Sequence, residues 1–150
     1  MGKNIHKEPL TIKVKYHVPI IPIQKISIGD WIDLRAAENV KMERGDARYI
    51  SLGVSMALPK GYEAIIAPRS STYNNFGLIC ASSIGIIDNS YQGEDDIWSF
   101  FAMAVRDTEI KVNDRICQFR IIKNQPELNF QEVQVLYGRS RGGYGSTGKR

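Results

Sequence analysis

A chain of 150 residues with a 43% hydrophobic share can bury one ordinary core, which excludes general disorder and argues for a single body. The net charge of +4 is scattered, apart from Arg139, Arg141, Lys149 and Arg150 at the end, so no basic groove for nucleic acid is expected. The longest uncharged apolar runs, such as 18–23, are short and broken by Pro19 and Pro22, so no membrane span is expected either.

From Met1 to Pro9 the chain mixes Lys3, His6, Lys7 and Glu8 and lacks the apolar centre of a signal peptide. Gly2 begins a myristoylation-like start, but His6 stands where that motif needs Ser or Thr. Cys80 and Cys117 both lie in apolar runs without metal-ligand spacing, as expected of reduced core residues in a cytoplasmic protein.

Apolar and polar residues then alternate in short runs, the period of half-buried strands. Strands are predicted over Leu10–Tyr16, Ile32–Ala36, Tyr49–Leu58, Tyr62–Ala67, Phe76–Ala81, Ser83–Ile87, Ile97–Val105, Ile116–Ile122 and Phe130–Val135. Turn signals separate them, among them Arg44-Gly45-Asp46, Pro59-Lys60-Gly61, Asn89-Ser90 and Val112-Asn113-Asp114. One short helix is predicted after Pro68, from about Ser70 to Asn75. Many short strands at regular spacing imply an all-β barrel or double-sheet jelly roll. Residues 1–137 would form this body. The stretch 138–150 holds five of the 13 glycines and reads as a flexible tail.

Five segments carry candidate chemistry. In Ile32-Asp33-Leu34, alternation turns Asp33 away from the core, either as a solvated acid or as an acid that meets a metal–phosphate complex through water. In Ala67-Pro68-Arg69-Ser70-Ser71-Thr72, hydroxyls and free N–H groups at a helix start suit an anion, and Arg69 adds charge. Helix capping alone also explains the Ser-Ser-Thr run. Asp88 ends the apolar run from Ile84 to Ile87 just before Asn89-Ser90-Tyr91-Gln92-Gly93. A carboxylate at the rim of an apolar wall can take a proton from water, although an Asx turn explains the same residues. In Asp114-Arg115-Ile116-Cys117-Gln118-Phe119, strand alternation points Gln118 the same way as Ile116, as a buried amide in need of partners, which a hydrogen bond to a neighbouring loop would also supply. Finally, Gly138 to Gly148 interleaves glycines with Arg139, Arg141 and Tyr144, a pattern that suits phosphate and a stacked base.

In order and spacing, these segments resemble the trimeric dUTPase family across nearly the whole chain. The specific strings are Ala67-Pro68-Arg69-Ser70-Ser71-Thr72, Gly85-Ile86-Ile87-Asp88 with Tyr91 and Gly93, Arg115-Ile116-Cys117-Gln118-Phe119, and Gly142-Gly143-Tyr144-Gly145-Ser146-Thr147-Gly148. The stretch from Gly93 to Trp98 resembles the Gram-positive and phage branch. The resemblance implies a β jelly roll, a homotrimer with sites shared between chains, and Mg²⁺-assisted hydrolysis of dUTP to dUMP and pyrophosphate. It implies Asp88 as general base and Asp33 as the acid that orients Mg²⁺-bound water. Tyr91 would pack under the deoxyribose. The hairpin from Ser82 to Asp88, with Gly85 and Ile87, would read uracil through its backbone. Arg69, Ser70, Ser71 and Gln118 would hold phosphates. The tail would close over the site, with Tyr144 on the base, Gly145, Ser146 and Thr147 at the phosphates, and Arg139 or Arg141 as the tail arginine.

Three departures stand out. Ser82 replaces the family's usual Asn, which would leave part of the uracil pocket to water, Tyr144 replaces the usual Phe, and the tail arginine is ambiguous, since Arg139 has the common spacing while Arg141 abuts the glycine pair. Three rival readings remain. A dCTP deaminase of the same fold needs a glutamate base, and no matching string is present. A phage-type homologue acting mainly as a protein-binding regulator would use the residues around Asp95 to Phe100 and Asp107 to Asn113. A nucleic-acid binder would show steep salt dependence.

Overall fold

The computed structural model describes residues 8–25 and 28–145. Residues 1–7, with the targeting signals sought there, and 146–150, with Ser146 and Thr147, lie outside the described residues. The fold is the expected all-β jelly roll. Its elements are β1 (Lys13–Tyr16), β2 (Ile32–Arg35), β3 (Val40–Met42), β4 (Ala47–Ser51), β5 (Val54–Ala57), β6 (Tyr62–Ala67), α1 (Thr72–Phe76), β7 (Leu78–Cys80), β8 (Gly85–Ile87), β9 (Ser99–Ala104), β10 (Thr108–Ile110) and β11 (Arg115–Lys123). Among the described residues, no helix is long and apolar enough to cross a membrane.

All ladders are antiparallel, and strand neighbours are mostly distant in sequence. The sheet that positions the candidate site runs β2-β11-β6-β8, and a second runs β4-β9-β7. Alternation explains these strands. In β9, Phe100, Ala102 and Ala104 are fully buried, while Ser99, Phe101 and Met103 take the other face. Phe101 stacks on Tyr49 of β4 at 4.3 Å and 9°. Trp98 is fully buried and meets Phe119 edge to face at 5.4 Å. Cys80 and Cys117 are free and buried, and burial pushes the Cys117 thiol well up, with neighbouring Cys80 adding to it. Such a thiol is inert packing.

The predicted elements shift in four places. The run Tyr49–Leu58 divides into β4 and β5, because Gly53 adopts φ +68 and a Cβ there would lie 2.6 Å from the Ala37 Cβ. The helix starts two residues later than expected and spans five residues. The three-residue strands β3 and β10 pair with each other, too short for alternation to reveal. The segment Phe130–Val135 forms no strand. Phe130 is 89% exposed, and from Lys123 onward every described residue is exposed, so no ladder partner is at hand in this chain.

The two stretches offered as a partner surface each send residues into the core and keep others at the surface. Trp98 and Phe100 are fully buried, and β10 places Ile110 in the core. Asp95, Asp107, Glu109 and Lys111 stay exposed at the surface.

Candidate active site

The sheet gathers the expected residues into two clusters. The first forms where β2, β11 and the end of β6 meet. Asp33 sits opposite Gln118, and Gln118 opposite Ala67, so Pro68 and Arg69 emerge beside them. Asp33 Oδ1 pairs with Arg69 Nε at 2.9 Å, and Asp33 Oδ2 accepts from Arg115 Nη1 at 3.2 Å. Arg69 Nη1 also donates to the Arg115 carbonyl at 3.0 Å. Two guanidinium groups against one carboxylate leave a surplus positive charge, with N–H groups still free for an anion.

Gln118 corrects the alternation drawn from sequence. A bulge between Arg115 and Cys117 shifts the register, so Ile116 and Cys117 are both buried and Gln118 turns to the opposite face from Phe119. Its Nε2 donates to the Pro68 carbonyl at 3.0 Å and steadies the loop that carries Arg69.

That loop has a second lock. Thr72 is fully buried, its hydroxyl accepts from the Arg69 N–H at 2.8 Å and donates to the Ile116 carbonyl at 2.9 Å. The Ser-Ser-Thr run is therefore divided. Thr72 fixes the loop from within, while Ser70 is exposed and Ser71 half-buried in front of it. Ser71 is the N-cap residue but makes no side-chain cap bond. Arg115 is the residue the sequence reading missed. Its position at the head of β11, across from β2, was the available signal.

The second cluster forms around β8, an edge strand paired, among the described residues, only with β6. An open cavity of about 510 Å³ lies against it. Ser82, Ile84 to Ile87 and Tyr91 form one wall, and Tyr49, Phe100 and Phe101 contribute to the other. Apolar walls beside a strand edge with unpaired backbone groups suit a flat ring that carries both donors and acceptors. The Ser82 hydroxyl donates to the Ile84 carbonyl at 2.8 Å, so it braces the hairpin tip. Ser83 there takes φ 69, a left-handed turn position.

Asp88 follows β8 directly. Its Oδ1 accepts from the Ser90 N–H at 2.9 Å and the Ser90 hydroxyl at 2.8 Å. These two bonds hold its carboxyl below the usual carboxylate range, the backbone bond having the larger effect. Oδ2 has no partner among the described residues. The Asx-type turn is thus real, and it leaves one oxygen open. Tyr91 donates its hydroxyl to the Ile97 carbonyl at 2.9 Å, and burial, with the Asp96 charge adding to it, pushes the phenol up. Tyr91 therefore stays a neutral donor.

The two clusters lie apart. Three strand spacings separate β2 from β8, roughly 14 Å. Arg139, Arg141, Tyr144 and Gly145 are exposed and join neither cluster within the chain.

The chain is similar to known proteins over most of its length. The dUTPase family model matches residues 30–148. The SPbeta prophage-derived deoxyuridine 5'-triphosphate nucleotidohydrolase of Bacillus subtilis is 52% identical over 142 residues, 94% of this chain and 100% of that protein. The Finegoldia magna deoxyuridine 5'-triphosphate nucleotidohydrolase is 35% identical over 133 residues, 85% of this chain and 92% of that protein. In structure, a dUTPase of Staphylococcus bacteriophage 80alpha solved with dUpNHpp superposes with a TM-score of 0.73 at 20% identity, covering 92% of this chain and 98% of that one. A dUTPase from phage phi11 of S. aureus, described with a structural Mg(II) ion, gives a TM-score of 0.72 at 18% identity over 83% of this chain and 98% of that one. The chain belongs to the dUTPase family, in its phage-like branch.

Proposed function

We propose that this enzyme hydrolyses dUTP to dUMP and pyrophosphate by attack of an Asp88-activated water on the α-phosphorus. The observation that carries the mechanism is Asp88 itself. It stands between the cavity-lining residues Ile87 and Tyr91, with Oδ1 held by Ser90 and Oδ2 open. Oδ2 takes the proton of the attacking water. The new bond forms from water oxygen to the α-phosphorus, and the bond to the bridging oxygen breaks as pyrophosphate leaves. Such reactions depend mostly on positioning and electrostatics.

Uracil enters the cavity beside β8 and is read by the hairpin backbone from Ser82 through Gly85 to Ile87. Tyr91 walls off the 2′ position of the sugar. Arg69, Arg115, Ser70, Ser71 and Gln118 act at the phosphates. The Asp33 ion pairs pre-aim the two guanidinium groups, so little reorganisation is needed on binding.

The donor set admits a metal in one way only. Both Asp33 oxygens already bond to arginine, and no group of three or more His, Cys, Asp or Glu gathers among the described residues. A carboxylate has about four lone-pair sites, so Asp33 keeps some free for metal-bound water. Mg²⁺ carried in on the triphosphate would neutralise phosphate charge.

The tail, with Arg139, Arg141, Tyr144, Gly145 and residues 146–147, closes over the nucleotide of a neighbouring chain in a homotrimer. The distance between the clusters supports sharing. An Asp88 roughly 14 Å or more across the sheet from Asp33 cannot serve phosphates held by its own Asp33–Arg69 pair. Incubation with each deoxynucleoside triphosphate and UTP in the presence of Mg²⁺ tests the whole reading. Pyrophosphate should appear with dUTP alone. Release from dCTP at a similar rate, or from none of them, would overturn it.

Ser90 gives a prediction on pH dependence. Asp88 works as a base only when ionised, so activity is present above its pKa and lost as pH falls through it. Ser90 holds that pKa down. Ser90→Ala removes the side-chain bond and lets the pKa rise, so the acidic limb of the kcat/KM profile should move to higher pH. An unmoved limb would mean that Asp88 protonation does not limit the reaction.

A further inference from the structure

The loop between Tyr91 and Trp98 hangs from two residues that lie outside the site. Ser55, in β5, is 4% exposed. Its hydroxyl lies 2.9 Å from the Asp96 carbonyl and 3.2 Å from the Glu94 carbonyl. His17, just after β1, places Nε2 2.8 Å from the same hydroxyl. A hydroxyl has one proton to give. Ser55 gives it to the loop carbonyls, so His17 must be the donor and carry its proton on Nε2. Were Nε2 the acceptor, the two carbonyls would lose their only side-chain donor among the described residues.

The loop passes this anchorage on to the site. Asp96 closes a tight turn, its Oδ2 accepting from the Gly93 N–H at 2.8 Å and its N–H donating to the Gly93 carbonyl at 3.1 Å. The next residue, Ile97, offers the carbonyl that receives the Tyr91 hydroxyl at 2.9 Å, and both Tyr91 and Ile97 line the cavity. Trp98 fixes the far end of the loop by backbone bonds to Leu52 and Val54. Among the described residues, the other side-chain tie from outside the loop is a surface ion pair from Lys15 to Glu94, and it is too exposed to hold the loop firmly. The near half of the loop therefore depends on Ser55, and Ser55 on His17.

We propose that Ser55 and His17 are positioning residues for sugar selection, holding the Tyr91 ring in place through the 93–97 loop. This rests on the reading of Tyr91 as the wall against a 2′-hydroxyl. A rigid wall rejects UTP, whereas a wall free to shift admits it. The dUTP/UTP ratio of kcat/KM is thus the quantity the network controls.

The test measures kcat/KM for dUTP and for UTP, with melting temperatures alongside, in the full-length enzyme. Ser55→Ala and His17→Ala should each narrow the ratio by about three- to tenfold, the scale of one or two lost hydrogen bonds. The change should come mainly from a rise with UTP. His17→Gln keeps an amide N–H able to reach Ser55 and should restore most of the ratio. In a Tyr91→Phe background, which lacks the hydroxyl that meets Ile97, Ser55→Ala should narrow the ratio little further. A purely structural role would lower both substrates alike and leave the ratio untouched, which overturns the proposal. Tyr91→Ala separates the two layers. If it narrows the ratio while the Ser55 and His17 variants do not, the network is wrong and the sugar wall stands. If Tyr91→Ala itself leaves the ratio unchanged, the sugar wall falls and the network proposal with it. Because His17 lies near the surface, its variants keep the test decisive even where Ser55→Ala fails to fold.

Discussion

Asp88→Asn should fold normally and bind dUTP, yet lose about 10²- to 10⁴-fold in kcat, the range for a missing general base. The side chain is exposed, so its replacement disturbs no core contact. An amide oxygen can still accept the two Ser90 bonds, so the turn persists. What disappears is the open carboxylate oxygen that takes the proton. Single-turnover kinetics beside a binding titration separate the two effects. A wild-type rate in the variant would require another base. Weakened binding with an unchanged rate of chemistry would make Asp88 a binding group instead.

Truncation after Gly138 should reduce kcat/KM by about 10³-fold or more, in the range that a transition-state arginine contributes in phosphoryl transfer. The melting temperature should barely move. Every described residue beyond Lys123 is exposed, and Tyr137 and Tyr144 touch almost nothing, so the tail adds little to the stability of its own chain. A stable but inactive enzyme would therefore mean that the tail works at the site. Mixing tests whose site that is. Suppose Asp88 and the tail of one site come from different chains of a closed threefold ring. Asp88→Asn chains and truncated chains, co-refolded one to one, then form about three quarters mixed trimers, each with one intact site of three. Activity should return to about a quarter of wild type. Mixed trimers that stay inactive would place Asp88 and the tail of each site on the same chain.

Much of this protein is legible without coordinates because strands announce themselves locally. A residue's inward or outward turn depends on its immediate neighbours, as Tyr62 to Ala67 and Ser99 to Ala104 illustrate. The same holds for the short chemical strings. Asp88 lies next to the Ser90 that caps it, and Arg69 is three residues from the Thr72 that locks its loop. Such contacts span a few residues, so their sequence spacing is also their structural spacing.

Where the reading erred, the deciding interaction was distant in the chain. Gln118 was aimed by unbroken alternation, and a bulge set by pairing with β2, some 80 residues earlier, turned it over. Gly53 broke an apparently continuous strand because Ala37 lies against it. The stretch Phe130–Val135 has strand-like alternation but pairs with no described strand of its own chain, and a strand is defined by its partner as much as by its own residues.

The sequence by itself determined the all-β class and the hydrophobic alternation that builds the core, and it singled out Asp33, Arg69, Asp88, Tyr91 and Gln118 as candidates. Only the tertiary structure decided that Asp33 would meet Arg69 and Arg115, and that Ser55 and His17 would hold the loop beside Tyr91. The reason is physical. Alternation and capping are set by covalent neighbours, whereas ion pairs and shared hydrogen bonds form between groups 36 to 82 residues apart that meet only after the ladders have chosen their register.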